Sequence, residues 1–546
     1  MNHLKNILLI SCVSLSFATV SNAQHAAATD TAKAHHPAQH VRRQSSATAV
    51  IVDKKEASTF FNAENYWAAL EAYLQVYKDT PKDFLVNYRI GISYLKTKVG
   101  KAKAVPYLEY AAKQKEAPKD AYLNLGKAYH YANRFDDAIS SYNTYKELNK
   151  LKGDALITVD RLLEMCENAK ELVAKPVDAT FENLGKSINT PTADYAPYIN
   201  SSETYMIFSS QRPANTGGSY DNPEDLGQYP SDVYFTTMKD GAWQKAKNIG
   251  FNVNTEESEE CVGLNAAGDK MILFFDSKNE FSDLYLSLLK TKQWQKPETM
   301  GPNINSKSVE SGGTLSSNGN TFIFSSDRKG GIGGKDLYKT KRLPNGDWGT
   351  PENLGPTINS IFDEDGPFLT PDDKTLYFSS KGFNSMGGYD FFKSDYDAEK
   401  DEWSEPINLG YPINTTDDNL YMSITADKKR IYLAQQREDG LGDLDIYKVT
   451  LNSEPGGSRH LFMVQGNVNA DSATDGRVKI TLKDTSGKTI GIYNTKATGG
   501  KFIMFIPIGK YHLTADSKGY KPYSDDFTIT DKMQPADLQK SILLSR

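Results

Sequence analysis

The residues able to do chemistry are scattered through this sequence rather than gathered. Beyond a histidine-rich stretch near the start (His25, His35, His36, His40), only His130, His460 and His512 fall in or beside segments patterned for folding. Each sits in a different part of the chain. There is no His-Glu-x-x-His helix to hold zinc, no Gly-x-Ser-x-Gly elbow to expose a nucleophile and no Gly-rich phosphate loop. Cys166 and Cys261 read as two buried apolar thiols. The carboxylates behave differently, because they recur. Five residues after a repeated asparagine stand Asp194, Glu259, Glu310, Glu364 and Asn419. Each is followed by a cation, Arg212, Lys278, Arg328, Lys381 or Arg437. Two carboxylates can share acid and base work on a glycosidic bond, yet groups present in every copy of a repeat serve the repeat first, here as ion pairs. The alternative is a cation held by the acidic ring. The expectation is a chain without catalytic residues, cofactor or metal.

Those carboxylates are positioned by five copies of one pattern. Asn189, Asn254, Asn305, Asn359 and Asn414 each follow Ile or Val and precede Ser or Thr. Asp232, Asp283, Asp336, Asp390 and Asp445 each stand two residues before an aromatic, and Trp243, Trp294, Trp348 and Trp403 share one slot. The aspartates are read as turn caps and all these positions as structural. Each copy holds about four short strands, which is what a propeller blade needs, because so small a sheet is buried only against its neighbours. A five-bladed β-propeller over 180–451 follows. The last copy has no tryptophan strand, while Phe181 to Gly185 reads as an orphan fourth strand. The N-terminal strand is therefore expected to complete the last blade and close the ring, leaving no open edge. Phe324-Ser325-Ser326-Asp327-Arg328 and Gly333-Gly334-Lys335-Asp336-Leu337-Tyr338 resemble the TolB-like, WD40-type repeats of exported bacterial proteins.

Irregularity points to function more sharply than repetition. Arg212 and Asp232 are 20 residues apart, where Arg328 and Asp336 are 8 apart. The inserted loop carries Tyr220, Asp221, Glu224, Asp225 and Tyr229 and is the candidate partner-binding loop.

Residues 53–175 repeat with helical spacing. Phe60, Tyr94 and Tyr129 are 34 and 35 residues apart, and so, in the other order, are Ala69, Ala104 and Ala138. Ile90-Gly91-x-x-Tyr94 and Leu125-Gly126-x-x-Tyr129 mark small residues where two helices meet. This segment resembles a tetratricopeptide repeat (TPR) array, which implies a concave surface for a protein segment. Asp154 to Ala174 reads as its capping helix.

After a Gly- and Ser-containing linker (452–459), residues 460–546 alternate as half-buried strands in Val478 to Leu482 and Tyr511 to Ala515. Gly466-x-Val468, Gly500-Lys501-Phe502, Ile506-Pro507-x-Gly509-x-Tyr511 and Lys518-Gly519-Tyr520 resemble the carboxypeptidase regulatory-like, transthyretin-like β-sandwich, a module without peptidase chemistry.

At the start, Lys5, the apolar run Ile7 to Val20 and Ser21-Asn22-Ala23 read as a signal peptide (1–23), followed by a flexible leader (24–52). Cys12 offers a lipoprotein alternative. A net charge of −6 over 546 residues argues against nucleic acid, and no later apolar run is long enough for a transmembrane helix. The order of modules resembles the PorE-type component of the Bacteroidota type IX secretion and gliding apparatus. That resemblance implies a non-catalytic exported scaffold, periplasmic or at the outer membrane, with protein partners in the cell envelope. In the family an OmpA-like domain follows and grips peptidoglycan; this sequence ends at Arg546, so peptidoglycan contact is not expected. The alternatives are a surface glycan-binding propeller and a propeller hydrolase or lyase.

Overall fold

A computed structural model describes residues 53–98, 100–216, 229–276, 282–452, 461–470, 478–487, 489–495, 500–530, 533 and 538–546. The signal and leader segments, most of the inserted loop and most of the linker lie outside them.

The first part is helical: α1 (Lys54–Asn62), α2 (Tyr66–Asp79), α3 (Phe84–Lys96), α4 (Val105–Ala112), α5 (Ala121–Tyr131), α6 (Phe135–Asn149) and α7 (Gly153–Val173). Side-chain caps set three of the starts. Asp53 accepts from Glu56 N–H, Asn65 from Ala68 N–H, and Asp83 from Leu85 and Val86 N–H, each meeting a donor the helix cannot satisfy itself. Successive helices pack as neighbours. They approach closely because Gly91 faces Leu108 and Gly126 faces the Tyr142 ring; a Cβ at either glycine would lie 2.4 or 2.5 Å from those side chains. Val159, Cys166, Ala169 and Leu172 of α7 close the core formed by α4 to α6. Cys166 and Cys261 are both buried and free.

The rest of the described chain is largely β structure. Five small antiparallel sheets follow one another between Ala179 and Leu451. Their inner strands, Asp194–Ile199, Ser258–Leu264, Glu310–Leu315, Glu364–Leu369 and Met422–Ile424, touch in that order, and the last returns to the first. This closed ring of sheets is a propeller arrangement. Four of the inner strands are buried at every residue, so their apolar side chains face other blades on both sides. Phe208, Phe274, Phe322, Phe324 and Phe378, all under 2 % exposed, fill the space between blades, each full burial being worth roughly 1.5–3 kcal/mol. The strand Ala179–Asn183 pairs antiparallel with Asp445–Leu451, in register from Ala179 opposite Leu451 to Asn183 opposite Tyr447. It supplies the outer strand of the fifth sheet, fastening the ring with sequence from its beginning.

Beyond the ring, Leu461–Ala470 lies between Lys501–Pro507, antiparallel, and Gln539–Leu544, parallel. A second sheet runs Thr489–Asn494, Lys479–Asp484, Gly509–Asp516, Tyr523–Ile529. Val464, Ile480, Leu482, Met504, Leu513 and Ile542 share the core.

Candidate functional site at the propeller mouth

The repeated residues hold the blades to one another. Asn359 accepts from Leu337 N–H at 2.7 Å and donates to Leu337 C=O at 2.9 Å, so one side chain satisfies both polar groups of a residue in the preceding blade. Asn189, Asn254, Asn305 and Asn414 make the same pair of bonds to Ile446, Val233, Leu284 and Phe391. Asn189 thereby bridges the fifth blade to the first. Asp232, Asp336, Asp390 and Asp445 accept backbone N–H groups from the loop before each, at Thr216, Gly333, Met386 and Leu441, and a side-chain amide from Asn248, Asn353, Asn408 and Asn183. Asp283 occupies the equivalent strand start in the second blade. Burial pushes the Asp390 carboxyl up to about 7, against the pull of those donors.

The tryptophans sit at the outer strand of their blades. Trp294 donates to Tyr205 OH in the preceding blade at 3.0 Å, and Trp243 meets Tyr432 edge-on across the closure. Trp348 packs on Phe322 and Trp403 on Tyr396 within their own blades.

Only part of the ring of ion pairs expected around the mouth is found among the described residues. Arg212 meets Asp194 at 2.9 Å and Arg328 meets Glu310 at 3.2 Å. Lys381 turns instead to Asp363 at 2.9 Å, and Arg437 to Gln435 and Asp439. Glu364 is left to Ser360 and Ser380, and its burial without an adjoining cation raises its carboxyl to about 8. Lys278 lies outside the described residues.

The side chains that differ between blades stand one place further on: Tyr195, Glu260, Ser311, Asp365 and Leu420. Each of the first four inner strands shifts register with its neighbour just there, and Ala196, Gly366 and Tyr421 take positive φ near +50° to +56°. A bulge of this kind re-aims a side chain. Tyr195 hydroxyl donates to Glu260 at 2.8 Å and also meets Ser231. Ser311 hydroxyl donates to Asp365 at 2.8 Å while Lys335 reaches both, at 2.9 Å and 3.0 Å. Tyr421 hydroxyl donates to Ser311 C=O. Aligning the five copies and asking where they disagree would have found this set; following only the shared positions missed it.

The helices roof this mouth. In α7, Arg161 donates to the carbonyls of Lys381, Gly382 and Phe383 and stacks on the Phe362 ring at 4.8 Å, with its side chain 7 % exposed. Asn168 donates to Ser385 C=O, and His130 to Met386 C=O at 2.7 Å. Met386 itself enters the helical core. The turn after α3 spans the other side. Lys98 approaches Gln211 at 3.4 Å over the Tyr195 ring, Gly100 N–H donates to Gln436, and Lys101 pairs with Asp417 at 2.6 Å. Blades one, four and five thus carry the array. At the opposite end of the axis, Ile199, Leu264, Leu315, Leu369 and Ile424 form an apolar ring around a pocket rimmed by Ser201, Ala266, Ser317 and Pro371.

Of the candidate partner-binding loop, Tyr220, Asp221, Glu224 and Asp225 lie outside the described residues; Tyr229 is the one described. Asn215, at its start, donates to Ser210 and Pro230 carbonyls, which pins the two ends of the loop together. Among the described residues no three of His, Cys, Asp and Glu converge as metal ligands.

No family model and no curated protein matches the chain. Solved structures similar to it include a prolyl endopeptidase at 14% identity, covering 63% of this chain and 48% of that one with a TM-score of 0.24. An α-L-arabinofuranosidase from Lactobacillus brevis is 11% identical, covering 48% and 91% with a TM-score of 0.32. A Mycobacterium tuberculosis puromycin-hydrolyzing peptidase is 11% identical, covering 64% and 53% with a TM-score of 0.26. The chain thus spans about half the length of the prolyl endopeptidase it is similar to. These findings correct the expectation of a chain without catalysis. Peptidases and a glycosidase stand among the structures it is similar to, and its architecture does not set enzymatic activity aside.

Proposed function

We propose that the chain is an exported scaffold of the cell envelope. Its tetratricopeptide-type array and TolB/WD40-like propeller hold protein partners at the periplasmic side of the outer membrane, and its carboxypeptidase regulatory-like sandwich extends that surface. The role is that of the PorE-type components of type IX secretion and gliding machinery that the sequence resembles. The observation that supports this reading best is the joint itself. Arg161, Asn168, His130 and Lys101 fix the helices to blades four and five through buried polar contacts, so two recognition surfaces are presented as one body. Affinity purification of the mature chain from its own envelope tests the reading: reproducible recovery of outer-membrane or periplasmic proteins supports it, and recovery of none sinks it.

A second reading is favoured by the blade-specific polar set at the mouth. Tyr195 with Glu260, and Ser311 with Lys335 and Asp365, form two polar clusters on the inner strands, polar groups of the kind a glycan-binding propeller or a propeller hydrolase or lyase would require. Binding on a glycan array, or glycan turnover lost in Asp365→Asn, would favour it over the scaffold.

A further inference from the structure

The array meets the propeller in two unlike ways. On one side α7 runs into the connection that leads to the strand Ala179–Asn183, itself part of the fifth blade. Arg161 and Asn168 donate there to backbone carbonyls, and Met386 and Tyr411 of the propeller pack into the helical core. That side has chain continuity and apolar packing behind it.

On the other side the turn after α3 leans on blades five and one with two lysines. Lys101, 8 % exposed, pairs with Asp417 at 2.6 Å and lies 4.7 Å from the centre of the Tyr131 ring, while Gly100 N–H donates to Gln436 at 3.1 Å. Lys98, 5 % exposed, reaches Gln211 at 3.4 Å and stands 5.6 Å from the centre of the Tyr195 ring, whose hydroxyl is bonded to Glu260. Among the described residues of this turn, none joins the apolar core of the propeller. Two buried ammonium groups are a costly way to close a joint, since each must be stripped of water. What the propeller offers them is a surface suited to a cation: the Asp417 carboxylate, the Gln211 amide oxygen and the face of Tyr195. Burial works against the Lys101 charge, yet Asp417, then Tyr131 and Asp418, hold that ammonium above its ordinary range.

We infer that the turn is a latch: Lys98 and Lys101 occupy a cation-binding rim of blades five and one, which a basic segment of a partner protein takes over, lifting the array from the mouth about α7. The inference rests on the partner-holding reading above and adds how a partner gains the mouth, where Tyr195 and Glu260 lie. Such a segment binds the unlatched chain alone, so its apparent affinity is lowered by the small fraction of chains that are unlatched, and removing the two lysines raises that fraction.

The test follows the anisotropy of fluorescein-labelled hexalysine titrated with the full mature chain. The wild type is expected to bind weakly, and Lys98→Gln with Lys101→Gln at least about tenfold more tightly. Adding Asp417→Asn to that pair should remove the gain. Lys113→Gln with Lys115→Gln, both exposed, makes the same change in net charge and should leave binding at the wild-type level. A Lys98 and Lys101 variant that binds no better than the wild type, or a gain that survives Asp417→Asn, overturns the inference. Hydrogen exchange on the wild type needs no substitution: excess hexalysine should speed exchange at Gly100 N–H and leave the α7 amides slow, and no change at Gly100 overturns the inference as well. Envelope proteins captured by a chain that shows neither effect would leave the scaffold reading standing and sink only this one.

Discussion

The guanidinium of Arg161 straddles the carbonyl oxygen of Lys381, with Nη2 at 2.6 Å and Nε at 3.0 Å, while Nη1 donates to Phe383 C=O at 3.1 Å. A planar fork meets a turn of backbone that a single ammonium could not span. Removing it leaves the carbonyls of Lys381 and Phe383 short of donors inside a buried joint, while Gly382 C=O keeps the hydroxyl and N–H of Ser385. Arg161→Ala should cost about 2–4 kcal/mol and expose the Lys175 to Asp178 connection to protease, and Arg161→Lys should recover only part of this. Thermal unfolding and limited proteolysis read both effects; an unaltered cleavage pattern would mean the joint does not depend on this residue.

Asn359 supplies a measure of what the repeat asparagines do. Asn359→Ala orphans the N–H of Leu337 and takes one of two donors from its C=O, which Leu354 N–H still reaches at 3.0 Å, and a loss of about 1–3 kcal/mol is expected. Asn359→Asp can still accept from the N–H but cannot donate to the carbonyl, so it should fall between the two. Denaturant midpoints at constant slope would give the order.

Gly126 faces the Tyr142 ring, and a Cβ there would stand 2.5 Å from it. Alanine is the better helix former by about 1 kcal/mol, yet Gly126→Ala should destabilise by about 1–3 kcal/mol because the overpacking wins. A rise in Tm would show that α5 and α6 can move apart freely.

Two buried groups make stability depend on pH in opposite ways. His130 has its folded value depressed to about 4 by burial, against an ordinary value of about 6.5. Its contribution is therefore present above about 6.5 and is lost as pH falls towards 4. Glu364 has its folded value raised to about 8, so its contribution is present below its ordinary value, about 4.3, and is lost as pH rises through 8. Glu364→Gln should flatten the alkaline fall, and His130→Asn should soften the acid one. Chemical denaturation from pH 4 to 9 checks both signs.

What the sequence made legible follows from how local each signal is. The asparagines, aspartates and tryptophans of the propeller could be found because five copies report the same contact five times, and the closing strand because one copy lacked what another had spare. Gly126 and Tyr142 could be paired because neighbouring helices share a period. The joint was hidden. Arg161 addresses backbone carbonyls 220 to 222 residues away, and a carbonyl leaves no mark on residue type. The mouth was hidden for the opposite reason: Tyr195, Glu260, Ser311 and Asp365 share a position but no chemistry, so a search for repetition passes over them. The expected ion pairs failed where local partners lay nearer: Lys381 turns to Asp363 and not to Glu364, and Arg437, whose ring position holds the uncharged Asn419, turns to Gln435 and Asp439.

The proposal that array and propeller act as one partner-holding body is tested most directly by affinity capture from the protein's own envelope, run side by side with the wild type and Arg161→Ala. The account predicts a reproducible set of envelope proteins on the wild type and a reduced set on the variant, at equal amounts of folded bait. Identical sets on both, or no envelope protein on either, would contradict it.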